Sequence, residues 1–260
     1  MKFFETHAHY DDIKFEDEED DVLKKVINAG VDKIVNVACD YSSCITSFNL
    51  SEKYDFIYFT IGVHPFEAET FDINKLEYIY SKVDKTKLVA IGEIGLDYSY
   101  DYVDDENKKL QQRVFIEQIK FAHKYNLPII IHTRDASYDT FEILRKYTTE
   151  DDYVLLHCFS PTDDLVNILL ERKNYMCAFG GNITYKRKDS FEKYLEKIPM
   201  EKIVLETDSP YLPPQEKRGT RNDSSSLPII AAKLAEFKKL DVEEIAKITY
   251  NNAMKFYKIK

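Results

Sequence analysis

Short apolar runs alternate with amphipathic stretches along the whole chain. The runs that we predict to be β-strands cover residues 3–6, 33–38, 57–63, 88–93, 128–132, 153–157, 175–179 and 203–207. Several are apolar at successive positions, as in Ile129-Ile130-Ile131 and Ile203-Val204-Leu205. That pattern is typical of strands buried on both faces of a parallel sheet, which require helical crossovers between them.

The stretches between these runs have helical periodicity. One face of the stretch before the fifth strand, for example, carries Leu110, Val114, Phe115, Ile119 and Ala122. Eight strands alternating with helices are compatible with a closed (β/α)₈ barrel or with an open doubly wound sheet. The pattern alone does not choose between them. An open sheet usually has a glycine-rich first turn, whereas here the first strand ends in His-Ala-His.

The domain organisation is simple. The length of 260 residues is close to that of one TIM barrel, about 250 residues. No linker or low-complexity tract interrupts the chain, so we predict a single domain over residues 1–260. The longest irregular segment, 209–227, follows the eighth strand and has the Pro, Gly and Ser content of a loop.

Composition narrows the class of protein. With 44% hydrophobic and 32% charged residues it is typical of a soluble globular protein, and no apolar run approaches the roughly 18 residues that span a bilayer. Its four cysteines lack disulfide-scaffold spacing, so we expect free thiols, a cytoplasmic location and no membrane partner. The oligomeric state stays open, with a monomer as the simplest expectation. The net charge of −10 argues against a non-specific nucleic-acid coat protein, but not against an enzyme that handles phosphates beside divalent cations.

Histidines and carboxylates gather at predicted strand ends. The side chains in question are His7, His9, His64, Glu93, His132, His157, Glu206 and Asp208. Because the carboxyl ends of parallel barrel strands emerge on one face, these residues should converge over one mouth. Imidazoles and carboxylates are suitable ligands for zinc, manganese and similar ions. The sixth histidine, His123, lies in an amphipathic stretch and receives no role.

Six segments in order carry a family resemblance. They are ETHAH (5–9), GVHP (62–65), GEIGLDY (92–98), IHTRDA (131–136), HCFS (157–160) and ETDSPYLPP (206–214). They resemble the motif series of the TatD family of metal-dependent deoxyribonucleases, in the amidohydrolase superfamily, and the similarity covers nearly the whole chain. The resemblance implies a TIM barrel, two divalent ions (Mg, Mn or Zn) and a DNA substrate cut at phosphodiester bonds in a 3′-5′ exonuclease mode.

The resemblance also implies the ligand set. Carried over residue by residue, the six ligands are His7, His9, Glu93, His132, His157 and Asp208. The first two histidines would hold one ion, and the last two the other. Glu93 would bridge the ions, because one carboxylate can offer an oxygen to each. Asp208 would bind the first ion and take a proton from the attacking water, so Glu93 and Asp208 are the catalytic candidates. Two ions about 3.5–4 Å apart can stabilise both oxygens of an in-line displacement at phosphorus.

Two candidate substrate contacts have structural competitors. His64 is predicted to contact a substrate phosphate or a water, but a histidine that stabilises the turn before Pro65 would look the same. Arg134 could clamp a phosphate in bidentate fashion, or could form a salt bridge to Asp135 or Asp97.

Two further candidates follow the seventh strand, where barrels often bind phosphate. Tyr185 could stack on a base and Lys186 could neutralise charge, whereas the nearby Lys188 is equally well explained as helix surface.

The chain departs from the family pattern at two places. Glu5 stands where Asp is usual before Thr-His, which we expect to shift a hydrogen bond beside the first ligands. In the segment 218–226, Asp223 and Ser224 replace the usual Glu and Pro, which puts the substrate loop in doubt.

Two other functions compete with a nuclease. A metal-dependent deacylase or amidase could use the same site on a carbonyl substrate, because fold does not fix substrate. A metal-stabilised binding module without turnover is the third interpretation, and a complete ligand set with a candidate base argues against it.

Overall fold

The computed structural model describes residues 1–186 and 191–259. Its eight strands form one sheet in chain order, each parallel to the next. The strands are β1 Phe3–Ala8, β2 Val31–Asn36, β3 Ile57–Ile61, β4 Leu88–Asp97, β5 Ile129–Arg134, β6 Val154–Leu156, β7 Tyr175–Phe179 and β8 Ile203–Leu205. Every predicted strand is present, and the main difference is that β4 continues four residues beyond Glu93.

Helices connect successive strands and cover the outside of the sheet. They are α1 Glu19–Asn28, α2 Tyr41–Lys53, α3 Ile73–Lys82, α4 Asp105–Tyr125, α5 Ser137–Tyr147, α6 Asp163–Glu171, α7 Phe191–Lys197, α8 Leu227–Lys238 and α9 Val242–Phe256. Acidic residues begin several of them: Asp40 accepts a hydrogen bond from the Ser43 N–H at the start of α2, and Asp104 accepts two at the start of α4. No helix in the described residues is long and apolar enough to cross a membrane.

The sheet curls until β8 meets β1. Just beyond β8, the Asp208 N–H donates to the His7 carbonyl at 3.0 Å, and the His9 N–H donates to the Ser209 carbonyl at 2.7 Å. The Thr6 hydroxyl also donates to the Leu205 carbonyl at 2.8 Å. These bonds join the first strand to the last, so the arrangement is a nearly closed TIM barrel and the predicted fold class is confirmed.

The barrel interior has an apolar floor and a polar top. Phe4, Val35, Ile130, Leu155 and Val204 fill the lower interior in one buried cluster. Tyr257, just after α9, is stacked on Phe4 at a ring separation of 5.7 Å and plugs this end, with its hydroxyl donating to the Thr6 carbonyl. Because this end is sealed by packed side chains, only the carboxyl-terminal mouth is open for chemistry.

Candidate metal centre

The structure brings the six predicted ligands together at the mouth. They lie at the ends of β1, β5, β6 and β8 or inside β4, as His7, His9, Glu93, His132, His157 and Asp208. Glu93 does not close its strand, as we had expected, but lies within β4 where the pairing register with β5 shifts between Ile91 and Ile94. This irregularity turns its buried side chain into the barrel.

Glu93 divides its two oxygens between two pairs of histidines. Its Oε2 lies 3.2 Å from His7 Nε2 and 3.9 Å from His9 Nε2. Its Oε1 lies 2.7 Å from His132 Nδ1 and 2.8 Å from His157 Nε2. One carboxylate therefore stands between two separate groups of imidazole nitrogens.

Asp208 lies beside the first histidine pair, His7 and His9. Its Oδ1 lies 3.3 Å from His9 Nε2 and 3.8 Å from His7 Nε2. The residue has a positive φ of 56°, a left-handed conformation that is uncommon for a side chain other than glycine and that occurs at functional sites. This conformation accompanies the turn out of β8 that places the carboxylate over the mouth.

Two histidine rings are oriented by their outer nitrogens. His9 Nδ1 lies 2.8 Å from the Val37 carbonyl, which can only accept, so Nδ1 carries the proton and Nε2 is free as a ligand. His132 Nε2 lies 2.9 Å from Asp97 Oδ2, which leaves Nδ1 to face Glu93. A carbonyl or carboxylate behind the ring is the usual support of a metal-binding histidine.

The site holds opposite charges at close range. Burial opposes ionisation of Glu93, but the adjacent His157 and His7 hold its pKa well below the usual range. Burial likewise opposes protonation of His157, and the carboxylates of Glu93 and Glu206 raise its pKa well above the usual value. The pKa of His9 is also raised, against burial, by Cys39 and Asp208. Protons thus supply the positive charge that the carboxylates require.

The donor atoms fit divalent cations. The Nε2 atoms of His7 and His9 face each other at 3.2 Å, and His132 Nδ1 faces His157 Nε2 at 3.3 Å. In the metal-free protein a proton on His9 or His157 can lie between the two nitrogens of each pair. A divalent cation in the same place would be bound by the neutral rings through their lone pairs. Among the described residues, the buried Nδ1 atoms of His7 and His157 also have no hydrogen-bond partner. The nitrogen and oxygen set matches zinc or manganese.

The position of His64 is compatible with both predicted roles, stabilising the turn before Pro65 and contacting the substrate. Its Nδ1 accepts a hydrogen bond from the Phe66 N–H at 3.2 Å and so caps the turn after β3. Its Nε2 points at the site, 3.7 Å from Glu93 Oε1. Burial lowers its pKa to about 3, so the ring is neutral. Its contact with substrate stays a prediction.

The other three substrate candidates lie farther out. Arg134 is exposed, and no ion pair joins it to Asp97 or Asp135 in the part of the chain that the structure describes. Tyr185 is half-buried and donates its hydroxyl to the Pro213 carbonyl at 2.8 Å.

Lys186 is exposed at the end of the segment that follows β7. Lys188 lies outside the described residues. No hydrogen bond or ion pair in the described chain joins Arg134, Tyr185 or Lys186 to a predicted metal ligand. His123 lies in α4, where its Nε2 is 3.0 Å from Asp152 Oδ1, away from the mouth.

Three side chains at the site were not assigned a role from sequence. Asp97 supports His132, and the fully buried Glu206 lies 3.6 Å from His157 Nδ1 while accepting the Cys158 N–H at 2.6 Å. Cys39 Sγ lies 3.9 Å from Glu93 Oε2. Asp97 and Glu206 both fall in the quoted motifs, and Asp97 lies an even number of residues from Glu93, a spacing that could have signalled the same face of the strand.

The two departures from the family pattern have separate structural roles. Glu5 is fully buried between β1 and β8, where it accepts from the Thr207 N–H at 2.9 Å and the Thr207 hydroxyl at 2.6 Å. Asp223 binds Lys25 of α1, and the Ser224 hydroxyl accepts from Tyr10 at 2.7 Å. The Asp223 and Ser224 contacts tie the loop to the barrel. Glu5 also accepts from the backbone N–H of the candidate ligand His7 at 3.1 Å.

Comparison with known proteins identifies the family. A family model described as TatD related DNase matches residues 4–258. The metal-dependent hydrolase YabD of Bacillus subtilis, itself named uncharacterized, is 36% identical over 98% of this chain and 99% of its own length. The similarly named YcfH of Escherichia coli is 32% identical over 100% and 97%.

A solved structure supports the same family assignment. The crystal structure of YjjV, a TatD homolog from Escherichia coli, superposes with a TM-score of 0.90 at 29% identity, covering 99% of this chain and 98% of that one. The resemblance seen in the six motifs is therefore confirmed. The chain belongs to the TatD-related DNase family of metal-dependent hydrolases.

Proposed function

We propose that the protein is a two-metal-ion phosphodiesterase that degrades DNA from a 3′ end. The observation that carries the proposal is the division of Glu93, with one oxygen beside His7 and the other beside His132 and His157. A single-ion site would not need a carboxylate to face two opposed groups of imidazoles. The family to which the chain belongs supports a DNA substrate.

The ligand cluster would hold the two ions as the resemblance implied. The first would lie among His7, His9, Asp208 and Glu93 Oε2, and the second among Glu93 Oε1 and the two histidines that follow β5 and β6. Bound divalent ions of this kind, Mg, Mn or Zn, lower the pKa of water and stabilise charge on phosphoryl oxygens.

Asp208 is the proposed proton acceptor. Although burial opposes its ionisation, the hydrogen bond from His9 and the neighbouring histidines lower its pKa, so it is an anion at neutral pH. Its side chain is 16% exposed, more than those of Glu93 and His7, so water can reach it. An ionised carboxylate that water can reach is suited to take a proton from an attacking water.

The substrate would be oriented by residues around the ligands. In this proposal His64, as a neutral ring whose Nδ1 accepts from Phe66, donates a hydrogen bond from its Nε2–H to a phosphate or water. The exposed Arg134 and Lys186 meet phosphates, and Tyr185 offers a ring face to a base.

The test is turnover of a single-stranded DNA oligonucleotide labelled at its 5′ end, with Mg²⁺, Mn²⁺ or Zn²⁺ added in turn. We expect a ladder of products shortened from the 3′ end, lost with chelator and in Asp208→Asn. Asp152→Asn is the matched control, because Asp152 pairs with His123 outside the site. Turnover of ester or amide substrates with no cleavage of DNA would instead favour the deacylase or amidase.

A further inference from the structure

Three aromatic side chains stand exposed on the face of the barrel that carries the metal centre. Phe66 follows β3 and is 40% exposed, and Tyr100 and Tyr102 follow β4 and are 40% and 60% exposed. Phe66 lies in the short 3-10 helix Pro65–Thr70 after β3, and the two tyrosines lie in the segment after β4, so all three belong to the mouth rather than to the outer wall. We call Phe66, Tyr100 and Tyr102 the aromatic ladder.

The aromatic ladder begins at the metal centre. The ring of His64, whose Nε2 is 3.7 Å from Glu93, lies 4.5 Å from the ring of Phe66. Phe66 in turn meets Tyr100 edge to face at 4.5 Å, and Tyr100 lies 5.5 Å from Tyr102. The rings therefore form a continuous path from a candidate ligand shell to the solvent.

The three rings stand apart from the packed core. All three lie outside the two buried clusters that make up the core. Adjacent exposed aromatic rings leading into a polar site are typical of a surface that receives a ligand. Their π faces suit flat, uncharged ring systems, and single-stranded nucleic acid is commonly held by stacking of its bases on such side chains.

The charge around the aromatic ladder selects which part of a nucleic acid would lie there. Glu67, Glu69 and Asp101 flank it in sequence. Burial, Tyr100 and Asp97 have the larger effects in raising the pKa of Tyr102, and Glu67 and Glu69 are close enough to add to them. This acidity disfavours a run of phosphates. In exonucleolytic cleavage the released nucleotide brings only the scissile phosphate, whereas the retained strand brings many.

From this arrangement we propose that the aromatic ladder is the binding subsite for the base of the 3′-terminal nucleotide that is released. The inference rests on the proposed function, and it states which part of the substrate binds at each side of the mouth. The terminal base stacks on the ring of Tyr100 and contacts Phe66, whose ring stands edge to face with Tyr100, and this places the last phosphodiester at Glu93. The retained strand leaves over the rest of the mouth.

A kinetic experiment compares two oligonucleotides that differ only at the 3′ end, one with a normal terminal nucleotide and one with an abasic residue. We expect the wild type to prefer the normal end about 5- to 100-fold in kcat/KM, as for loss of one stacked base. Phe66→Ala and Tyr100→Ala should reduce that preference, and Tyr100→Phe should retain it. Tyr78→Ala is the control, because Tyr78 is 65% exposed but lies on the outer helix α3. Equal preference in the wild type and both alanine variants overturns the proposal.

A binding experiment separates failure of this subsite from failure of the proposed function. Anisotropy of a labelled oligonucleotide is measured with Asp208→Asn alone and combined with Tyr100→Ala, in the presence of Mn²⁺. Weaker binding on addition of Tyr100→Ala, with no change for Tyr78→Ala, supports the subsite even if the wild type cleaves no DNA. Unchanged binding on addition of Tyr100→Ala, or no binding to either protein, overturns the subsite. The proposed nuclease function would still stand in that case if the wild type cleaves DNA.

Discussion

Glu93 is the residue on which the metal centre depends. It lies between two pairs of histidines, with 3.2 Å or less separating its oxygens from three of their nitrogens. Burial opposes its ionisation, but the neighbouring His157, whose own pKa is raised, supplies positive charge that keeps the pKa of Glu93 low when the protein holds no metal. Removing its charge should therefore affect both halves of the centre at once.

We predict that Glu93→Gln lowers turnover more than about 100-fold. This loss exceeds the roughly 10–100-fold that is typical when a residue hydrogen-bonded to a metal ligand is replaced. An amide keeps the shape but offers only one oxygen and no charge. Steady-state cleavage of the DNA oligonucleotide measures the effect, and metal content of the purified variant shows its cause. Normal binding of two ions with normal turnover would refute the bridging role.

Asp97 should act on one half of the centre only. It holds the outer nitrogen of His132 at 2.9 Å and does not contact the first histidine pair. Asp97→Asn should weaken one of two metal-binding steps about 10–100-fold and leave the other unchanged. Calorimetric titration with Mn²⁺ resolves the steps. Equal weakening of both would mean that Asp97 acts through general destabilisation.

The histidine charges predict how metal and pH act together on stability. In the metal-free protein the pKa values of His9 and His157 are raised well above 6.5 by carboxylate and thiol neighbours that outweigh burial. Groups with a raised pKa stabilise the fold fully below pH 6.5 and lose that contribution as pH rises through the raised values. Bound metal supplies positive charge in place of the lost protons, because it binds the histidines in their deprotonated form.

The gain in Tm on adding a fixed free concentration of Mn²⁺ should thus be larger at pH 8 than at pH 6. Thermal unfolding with chelator and with Mn²⁺ at both values measures it. A gain that is constant or that shrinks with rising pH would contradict this prediction.

Among the elements, the junction of β1 and β8 is the most unusual part of the barrel. Short strand pairing there is supplemented by the buried Glu5 carboxylate, which accepts from the backbone of His7 and Thr207. Burial dominates these hydrogen bonds and raises the pKa of Glu5 to about 8. Its contribution to stability is complete below pH 4.5 and falls as pH rises towards 8.

Below pH 8 the protonated acid can donate its own O–H to the Thr207 hydroxyl oxygen. Glu5→Gln should remove the pH dependence, because its amide offers an oxygen to the backbone N–H groups and an N–H in place of that O–H. Wild type should lose stability as pH rises, and the variant should not. We therefore predict that the stability of the variant relative to wild type increases by roughly 1–3 kcal/mol between pH 5.5 and 8.5. Urea unfolding of both chelated proteins measures the difference, and Glu5→Ala should be destabilised at both values. A difference that does not change with pH would show that Glu5 is not buried as an acid.

The elements also show what sequence can predict. Runs such as Ile129–Ile131 are apolar because both faces of β5 are covered, so the strands were evident from local pattern. The alternation could not show that the sheet closes, because closure depends on long-range bonds such as His9 to Ser209. The motif resemblance supplied that step.

At the site, strand ends identified the ligands because parallel strands carry them to one face. The supporting groups were harder to predict. Glu206 was predicted at the mouth from its place after β8, but its position behind His157 was not. Cys39 reaches the site through packing between strands. The extension of β4 brings Asp97 behind His132, which the simple rule that a ligand ends its strand did not predict.

At the scale of the molecule, the proposed function requires an acidic protein to bind an acidic substrate. The net charge of −10 leaves little general attraction for DNA, so the ions must supply most of it. We predict that DNA binding by the chelated protein is weak and that its logarithm falls with log[salt] with a slope implying few phosphate contacts. Anisotropy across a salt series with chelator measures this slope. A steep slope without metal would reveal a basic surface that the charge distribution does not suggest.

The most direct test of the two-ion centre is anomalous diffraction from a crystal grown with Mn²⁺. We predict two peaks about 3.5–4 Å apart, with Glu93 between them, His7, His9 and Asp208 around one, and His132 and His157 around the other. A single peak, or two that do not share Glu93, would contradict the bridged arrangement.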